Sequence, residues 1–143
     1  MRKPMLLIVA HGSRRQASND EVRALADQVR QMNHPDIGEV RVAFLELAEP
    51  SIAGGLAECA GLGAEEIVVF PYFLAAGTHV TADIPEEVAA FRANHPRVKV
   101  TLTPHLGAAP ALPRAIVELA LPAQAWSRPR MGTLSLKLRG TQA

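Results

Sequence analysis

Residues Met5 to Met32 read MLLIVAHGSRRQASNDEVRALADQVRQM, and this stretch decides the fold. Met5 to Ala10 is an uninterrupted apolar run, the signature of a strand covered on both faces. His11, Gly12 and Ser13 then turn the chain, and Arg14 and Arg15 follow. Ser18 with Glu21 spells a capping box, after which Val22, Leu25, Ala26, Val29 and Met32 recur at helical spacing. A buried strand running into an amphipathic helix is the first half of a βα unit.

The same order recurs downstream. Further strands are expected at Glu39–Leu45, Glu66–Phe70 and Arg97–Leu102, each short and rich in Val, Ile and Leu. A second helix is expected from Ser51. A third follows Asp83, capped with Glu86, and its apolar face is Ile84, Val88 and Phe91. A fourth carries Leu112, Ala115, Ile116 and Leu119. Alternating strands and helices with short connections give an α/β fold: an open parallel sheet of about four strands with helices on both faces. Residues 1–120 form one domain on this reading, and 121–143 a basic tail containing Arg128, Arg130, Lys137 and Arg139 without an acid. The tail, with its Leu134, Leu136, Leu138 alternation, is read as a frayed end, with an edge strand, a dimer arm and a contact for anionic substrate as the other readings.

Bulk composition narrows the function classes. The chain has 143 residues, net charge +1 and 20% charged residues, which does not suit a uniformly basic nucleic-acid binder. No apolar run approaches the roughly 18 residues of a membrane span, and Met5–Ala10 is too short for a signal peptide. The single cysteine, Cys59, falls with Ile52 and Leu56 on the buried side of the second helix, as a core residue in a reducing cytoplasm.

In an open parallel sheet, ligands bind beyond the carboxyl ends of the strands. That rule sorts the five histidines. His34 and His95, each followed by proline, close helices at the opposite end and serve the helix dipole. His11, His79 and His105 all follow strands. His11 and His79 leave the first and third strands, which in such sheets lie side by side, and each has a glycine nearby, Gly12 and Gly77. Two converging imidazoles can hold a divalent transition metal, yet fall short of the about four ligands of a closed structural site. An open site suits a metal that is to be handed on. His105 is a weaker third candidate, since Pro104 and Gly107 account for its turn.

Glu46 and Glu49 leave the second strand at the same edge. Glu46 is a candidate to take protons or to add a metal ligand, against the reading that both acids favour the helix at Ser51. Arg14 and Arg15 suit a carboxylated ligand, because a guanidinium pairs bidentately with carboxylates; solvated loop residues are the competing reading. Other chemistries find no support. No nucleophile elbow surrounds Ser13, Ala10 stands where a phosphohistidine enzyme needs arginine, and no glycine-rich phosphate loop follows the first strand.

Val9–Arg15 (VAHGSRR), Val40–Ile52 (VRVAFLELAEPSI), Val68–Pro85 (VVFPYFLAAGTHVTADIP) and Thr101–Pro110 (TLTPHLGAAP) together resemble the short form of the CbiX family. These are class II chelatases, lyases that insert cobalt or another divalent metal into sirohydrochlorin. The resemblance covers about residues 4 to 120. It implies a chelatase-like lobe, metal ligands at His11 and His79, and a homodimer that imitates the two-lobed longer enzymes. On that reading His11, His79 and Glu46 are catalytic. Ser13, Arg14, Arg15, Gly77 and Thr78 bind the tetrapyrrole, and the metal (cobalt, with iron or nickel as alternatives) is a substrate with no organic cofactor beside it. A non-catalytic carrier of metal or tetrapyrrole would use the same histidines, and a structural α/β module would use none of them.

Overall fold

The structure, a computed structural model, describes residues 2–121. The chain divides into two units, Met1–Ala109 and Pro110–Ala143. The first contains β1 (Met5–Ala10), α1 (Gln16–Gln31), β2 (Val40–Phe44), α2 (Ile52–Gly61), β3 (Glu66–Pro71), α3 (Ile84–Asn94) and β4 (Lys99–Leu102). A π-helical turn, His79–Asp83, runs directly into α3, and a 3-10 turn, Leu106–Ala108, follows β4. In the second unit, α4 spans Leu112–Ala120, matching the fourth expected helix. Beyond Leu121 the basic tail and its leucine alternation lie outside the described residues.

All strand pairings are parallel, in the order β2-β1-β3-β4. The two strands that carry His11 and His79 are therefore neighbours, as expected. Alternation along the strands splits the core into two layers. Leu7 and Val9 of β1 face Leu56 and Cys59 of α2 and Ile84 and Val88 of α3. Leu6 and Ile8 pack the other way, with Val22, Ala26 and Val29 of α1. Helices thus cover both faces, and the apolar run of β1 follows from its central place in the sheet.

Cys59 lies wholly inside the first layer, and burial pushes its thiol up to about 11. It stays protonated and unreactive near neutral pH, as a core residue should. Ser51 caps α2 as expected, its Oγ accepting from the Gly54 amide at 3.0 Å.

Local expectations fail at two helix starts. The Ser18–Glu21 capping box does not form. Helix α1 begins at Gln16 with Arg15 as a cap lacking a side-chain bond, and the Ser18 amide already donates to the Arg15 carbonyl. Ser18 is inside the first turn, where its hydroxyl has no cap to make. Asp83 likewise caps nothing: its backbone is helical, because the π-helical turn carries the helix back to His79. Its carboxylate is committed elsewhere. Met32, assigned to the inner face of α1, is 73% exposed because the helix ends at Gln31, before its side chain reaches the core.

Candidate functional site

The site is assembled where β1, β2 and β3 end. The β1–β2 ladder continues past both strands: the Leu45 amide donates to the Ala10 carbonyl at 2.9 Å and the Glu46 amide to the His11 carbonyl at 3.1 Å. This register sets Glu46 beside His11, and the His11 Nε2 lies 2.9 Å from the Glu46 carboxylate. On the other side the Tyr72 amide donates to the Val9 carbonyl at 2.8 Å, which extends the β1–β3 pairing. Phe73 follows, with its ring centroid 6.5 Å from that of His11 and 6.3 Å from that of His79.

His79 arrives from the start of the π-helical turn. Its ring stands edge-on to His11, centroids 4.9 Å apart at 75°. Its Nδ1 lies 2.7 Å from Asp83 Oδ2, four residues on in the same turn. A carboxylate only accepts hydrogen bonds, so His79 carries its proton on Nδ1 and His11 carries one on Nε2. The lone-pair nitrogens of the neutral rings are then His79 Nε2 and His11 Nδ1. All four side chains remain accessible, 49% and 57% for His11 and Glu46 and 42% for both His79 and Asp83. Exposed pairs of this kind add at most about 1 kcal/mol of stability, so the fold alone gives little reason for them.

Two imidazoles and two carboxylates are suitable donors for a divalent transition metal. Among the described residues, however, no three such groups converge on one point. The arrangement is a two-histidine platform whose remaining ligands must come from outside it.

Gly12 makes the close passage possible. Its φ is +94°, and a Cβ there would stand 1.8 Å from the Glu46 carbonyl oxygen. The loop itself is held by Asn19, a residue absent from the sequence-based candidates. Asn19 Oδ1 accepts from the Ser13 amide at 2.9 Å and its Nδ2 donates to the Ser13 carbonyl at 2.8 Å. At 2% exposure it is the one buried polar residue among those described. The signal was available: Asn19 shares the inner stripe of α1 with Val22 and Ala26, where an amide needs a partner. Asn19→Ala leaves the Ser13 amide and carbonyl unpaired and is expected to cost about 1–3 kcal/mol, read as a lower urea midpoint. An unchanged midpoint would show that the loop needs no such anchor.

Ser13 uses its Oγ to accept from the Arg15 amide at 3.0 Å, a turn-forming bond. Arg14 and Arg15 are exposed, and neither guanidinium makes an ion pair with a described residue. A Cβ at Gly77 would meet nothing within 4 Å, so its position requires no glycine. Its carbonyl accepts from the Val80 and Thr81 amides, which start the turn that carries His79. Thr78 immediately precedes that turn and is exposed.

His105 belongs to a different cluster. Its loop packs beneath the Phe73–Leu74 backbone, the Gly107 amide donating to the Phe73 carbonyl at 3.0 Å, and the ring is in none of the aromatic contacts that join His11, His79 and Phe73. Glu49 lines a hollow of about 280 Å³ together with Glu46 and Leu47, and Arg23 fixes this loop by donating to the Glu49 carbonyl at 3.1 Å. His34 and His95 serve turns: the first accepts from the Asp36 amide, and the second bonds the Phe91 carbonyl and stacks on its ring.

A parallel sheet with an imidazole–carboxylate site at its carboxyl edge defines an α/β ligand-binding domain of the open-sheet type. The CbiX family model matches residues 5–122, and the chain belongs to the CbiX family. Among curated relatives, it is 40% identical over 81 residues to the sirohydrochlorin cobaltochelatase of Methanopyrus kandleri, covering 57% of this chain and 55% of that one. Relatives named sirohydrochlorin ferrochelatase also match, as in Bacillus subtilis, at 32% identity over 105 residues. A CbiX protein from Marinobacter aquaeolei VT8 shares the fold with a TM-score of 0.68 and 31% identity, over 80% of this chain and 92% of that one. The sirohydrochlorin chelatase SirB of Bacillus subtilis subspecies spizizenii, solved in complex with cobalt, gives 0.73 and 29%, over 81% of this chain but 49% of its own. The chain spans about half the length of the curated relatives it matches. Among the described residues, no helix is long and apolar enough to cross a membrane.

Proposed function

We propose that this protein inserts a divalent metal into sirohydrochlorin, with cobalt as the metal and cobalamin as the destination of the product. The observation that carries the reading is the meeting of His11 and His79, 68 positions apart in sequence by their numbers, with ring centroids at 4.9 Å. Relatives named for both cobalt and iron support a divalent metal as substrate, and the cobalt-bound SirB structure supports cobalt among the candidates. Nitrogen sites bind cobalt(II) more tightly than iron(II) as a matter of course, so geometry and supply decide between them.

In the proposed mechanism, the two neutral imidazoles hold the ion loosely enough to yield it to four macrocycle nitrogens. Two N–H protons leave as one dication enters, so charge balances. Glu46, bonded to His11 and 57% exposed, or a histidine takes these protons and passes them to water. Arg14 and Arg15, without an ion pair among the described residues, grip the carboxylate rim, and Ser13, Gly77 and Thr78 line the approach. The chemistry forms no covalent intermediate and consists of positioning and ring distortion.

The hollows at this edge, about 280 and 260 Å³, are small for a tetrapyrrole. Two copies of the chain would supply the length that the longer relatives hold in one, which supports a homodimer with the macrocycle between lobes. The reduced core cysteine suits a cytoplasmic setting.

The test is insertion itself: purified protein, sirohydrochlorin, and cobalt(II), iron(II) or nickel(II), followed by absorbance against the spontaneous rate. Acceleration with cobalt supports the proposal. Tight binding without acceleration would identify a carrier, and neither binding nor acceleration would leave a structural module.

A further inference from the structure

Asp83 has no work to do as a helix cap. Its backbone is helical, it makes no capping bond, and the helix has already begun at His79. Its carboxylate instead lies 2.7 Å from His79 Nδ1, the short distance of a charge-assisted bond. With both side chains 42% exposed, that bond contributes little to stability. What it does fix is which nitrogen of His79 bears the proton. A π-helical turn, here at the start of α3, is itself a feature that recurs at functional sites.

The two carboxylates of the site are not equivalent. Glu46 approaches His11 through Nε2, whereas Asp83 approaches His79 through Nδ1. A metal taken up by His79 Nε2 leaves the Asp83 bond intact. A metal taken up by His11 through its lone-pair Nδ1 likewise leaves the Glu46 bond intact, whereas uptake through His11 Nε2 would displace Glu46. The Asp83 bond joins two residues of one turn, four positions apart, whereas the Glu46 bond joins two different strand ends.

We infer that Asp83 is a positioning residue, which holds His79 in the Nδ1–H tautomer and orientation so that Nε2 is the permanent metal-binding nitrogen of the site. The inference rests on the reading of His79 as a metal ligand under the proposed function. Carboxylates that orient ligating histidines in this way are worth about 10–100-fold in metal affinity. Asp83 sits outside the buried core, so its replacement spares the fold.

Two readouts at one fixed pH test the inference without any insertion assay. Cobalt(II) is titrated into metal-free wild type, Asp83→Ala and Asp83→Asn, with the visible absorption of the bound ion as signal. The ring nitrogens of His79 are followed by ¹⁵N NMR in the same three proteins without metal. Wild type is expected to bind cobalt and to show the Nδ1–H tautomer. Asp83→Ala is expected to bind about 10–100-fold more weakly and to show protonation shared between the two nitrogens. Asp83→Asn keeps an acceptor oxygen and falls between them, a rescue that a purely structural role would not produce. Wild-type affinity in Asp83→Ala together with an unchanged tautomer overturns the inference. Failure of wild type itself to bind cobalt, with the tautomer as described, overturns the metal-ligand reading beneath it. An equal denaturation midpoint for all three proteins is expected, and if Asp83→Ala does not fold, Asp83→Asn alone decides: no loss of affinity and no change in His79 refutes the role.

Discussion

Under the proposed function, His11→Ala and His79→Ala are each expected to lose metal insertion while leaving the fold intact. The expected loss in rate is about 100-fold or more, because partners that merely orient a ligating histidine are already worth about 10–100-fold. Stability is not expected to follow. Both rings are about half exposed and stand outside the two apolar layers, so truncation removes no core packing. Denaturant midpoints should stay within about 0.5 kcal/mol of wild type, the usual range for surface changes. The two substitutions should also fail to add. Once one imidazole is lost, the other is a single exposed ligand with little hold on the ion, so the double variant should be no slower than either single one. The measurements are insertion rate with cobalt(II), cobalt affinity, and a urea melt for each variant. Near-wild-type insertion in both single variants would remove the histidines from the chemistry, whatever their separation. A parallel loss of stability and rate would make them structural.

The topology was legible in the sequence because it depends on coarse patterning. Four buried apolar runs separated by helical periodicity leave a parallel sheet as the economical solution, and the observed strands fall within two residues of the expected ends. The pairing of β1 with β3, which follows from the order of such sheets, brought His11 and His79 to one edge. The misses share a cause. Ser18, Glu21, Asp83 and Glu86 all fit a capping motif, but the motif describes the start of a helix and cannot say where that start falls. The chain entered α1 three residues earlier and α3 five residues earlier, leaving one hydroxyl idle and freeing one carboxylate for an imidazole. Asn19 was hidden in the same way, since its partner is a backbone six positions upstream that no local pattern announces. The sequence shows Gly12, Gly77 and Gly107 alike, yet only at Gly12 and Gly107 would a Cβ strike a carbonyl oxygen, at 1.8 Å, while at Gly77 it would meet open space. Composition reveals that a glycine is present, and only the fold reveals what passes beside it.

Gly12→Ala is expected to be among the most damaging single-methyl additions in this chain. Two independent costs meet there. At φ +94° an L side chain is strained wherever it stands, and residues held in such regions cost about 1–3 kcal/mol. The new Cβ also needs space occupied by the Glu46 carbonyl oxygen, 1.8 Å away, with the carbonyl carbon at 3.0 Å. Backbone cannot rotate aside as a side chain would. The Glu46 amide donates to the His11 carbonyl, so pushing this carbonyl away pulls on the rung that sets Glu46 beside His11. The structure then has two ways to respond. If the contact is kept, stability falls by at least about 2 kcal/mol and the denaturant midpoint drops accordingly. If the β2 end gives way, much of that stability returns but the 2.9 Å bond between His11 and Glu46 is lost, and under the proposed function insertion slows. A urea melt and an insertion rate on the same preparation separate the two responses, and a loss must appear in one or the other. Gly77→Ala is the matched control for stability, because a Cβ there meets open space and the urea midpoint should stay near wild type. If Gly12→Ala were equally silent, His11 would leave β1 by a different path from the one described, and the carboxylate beside it would have no fixed place.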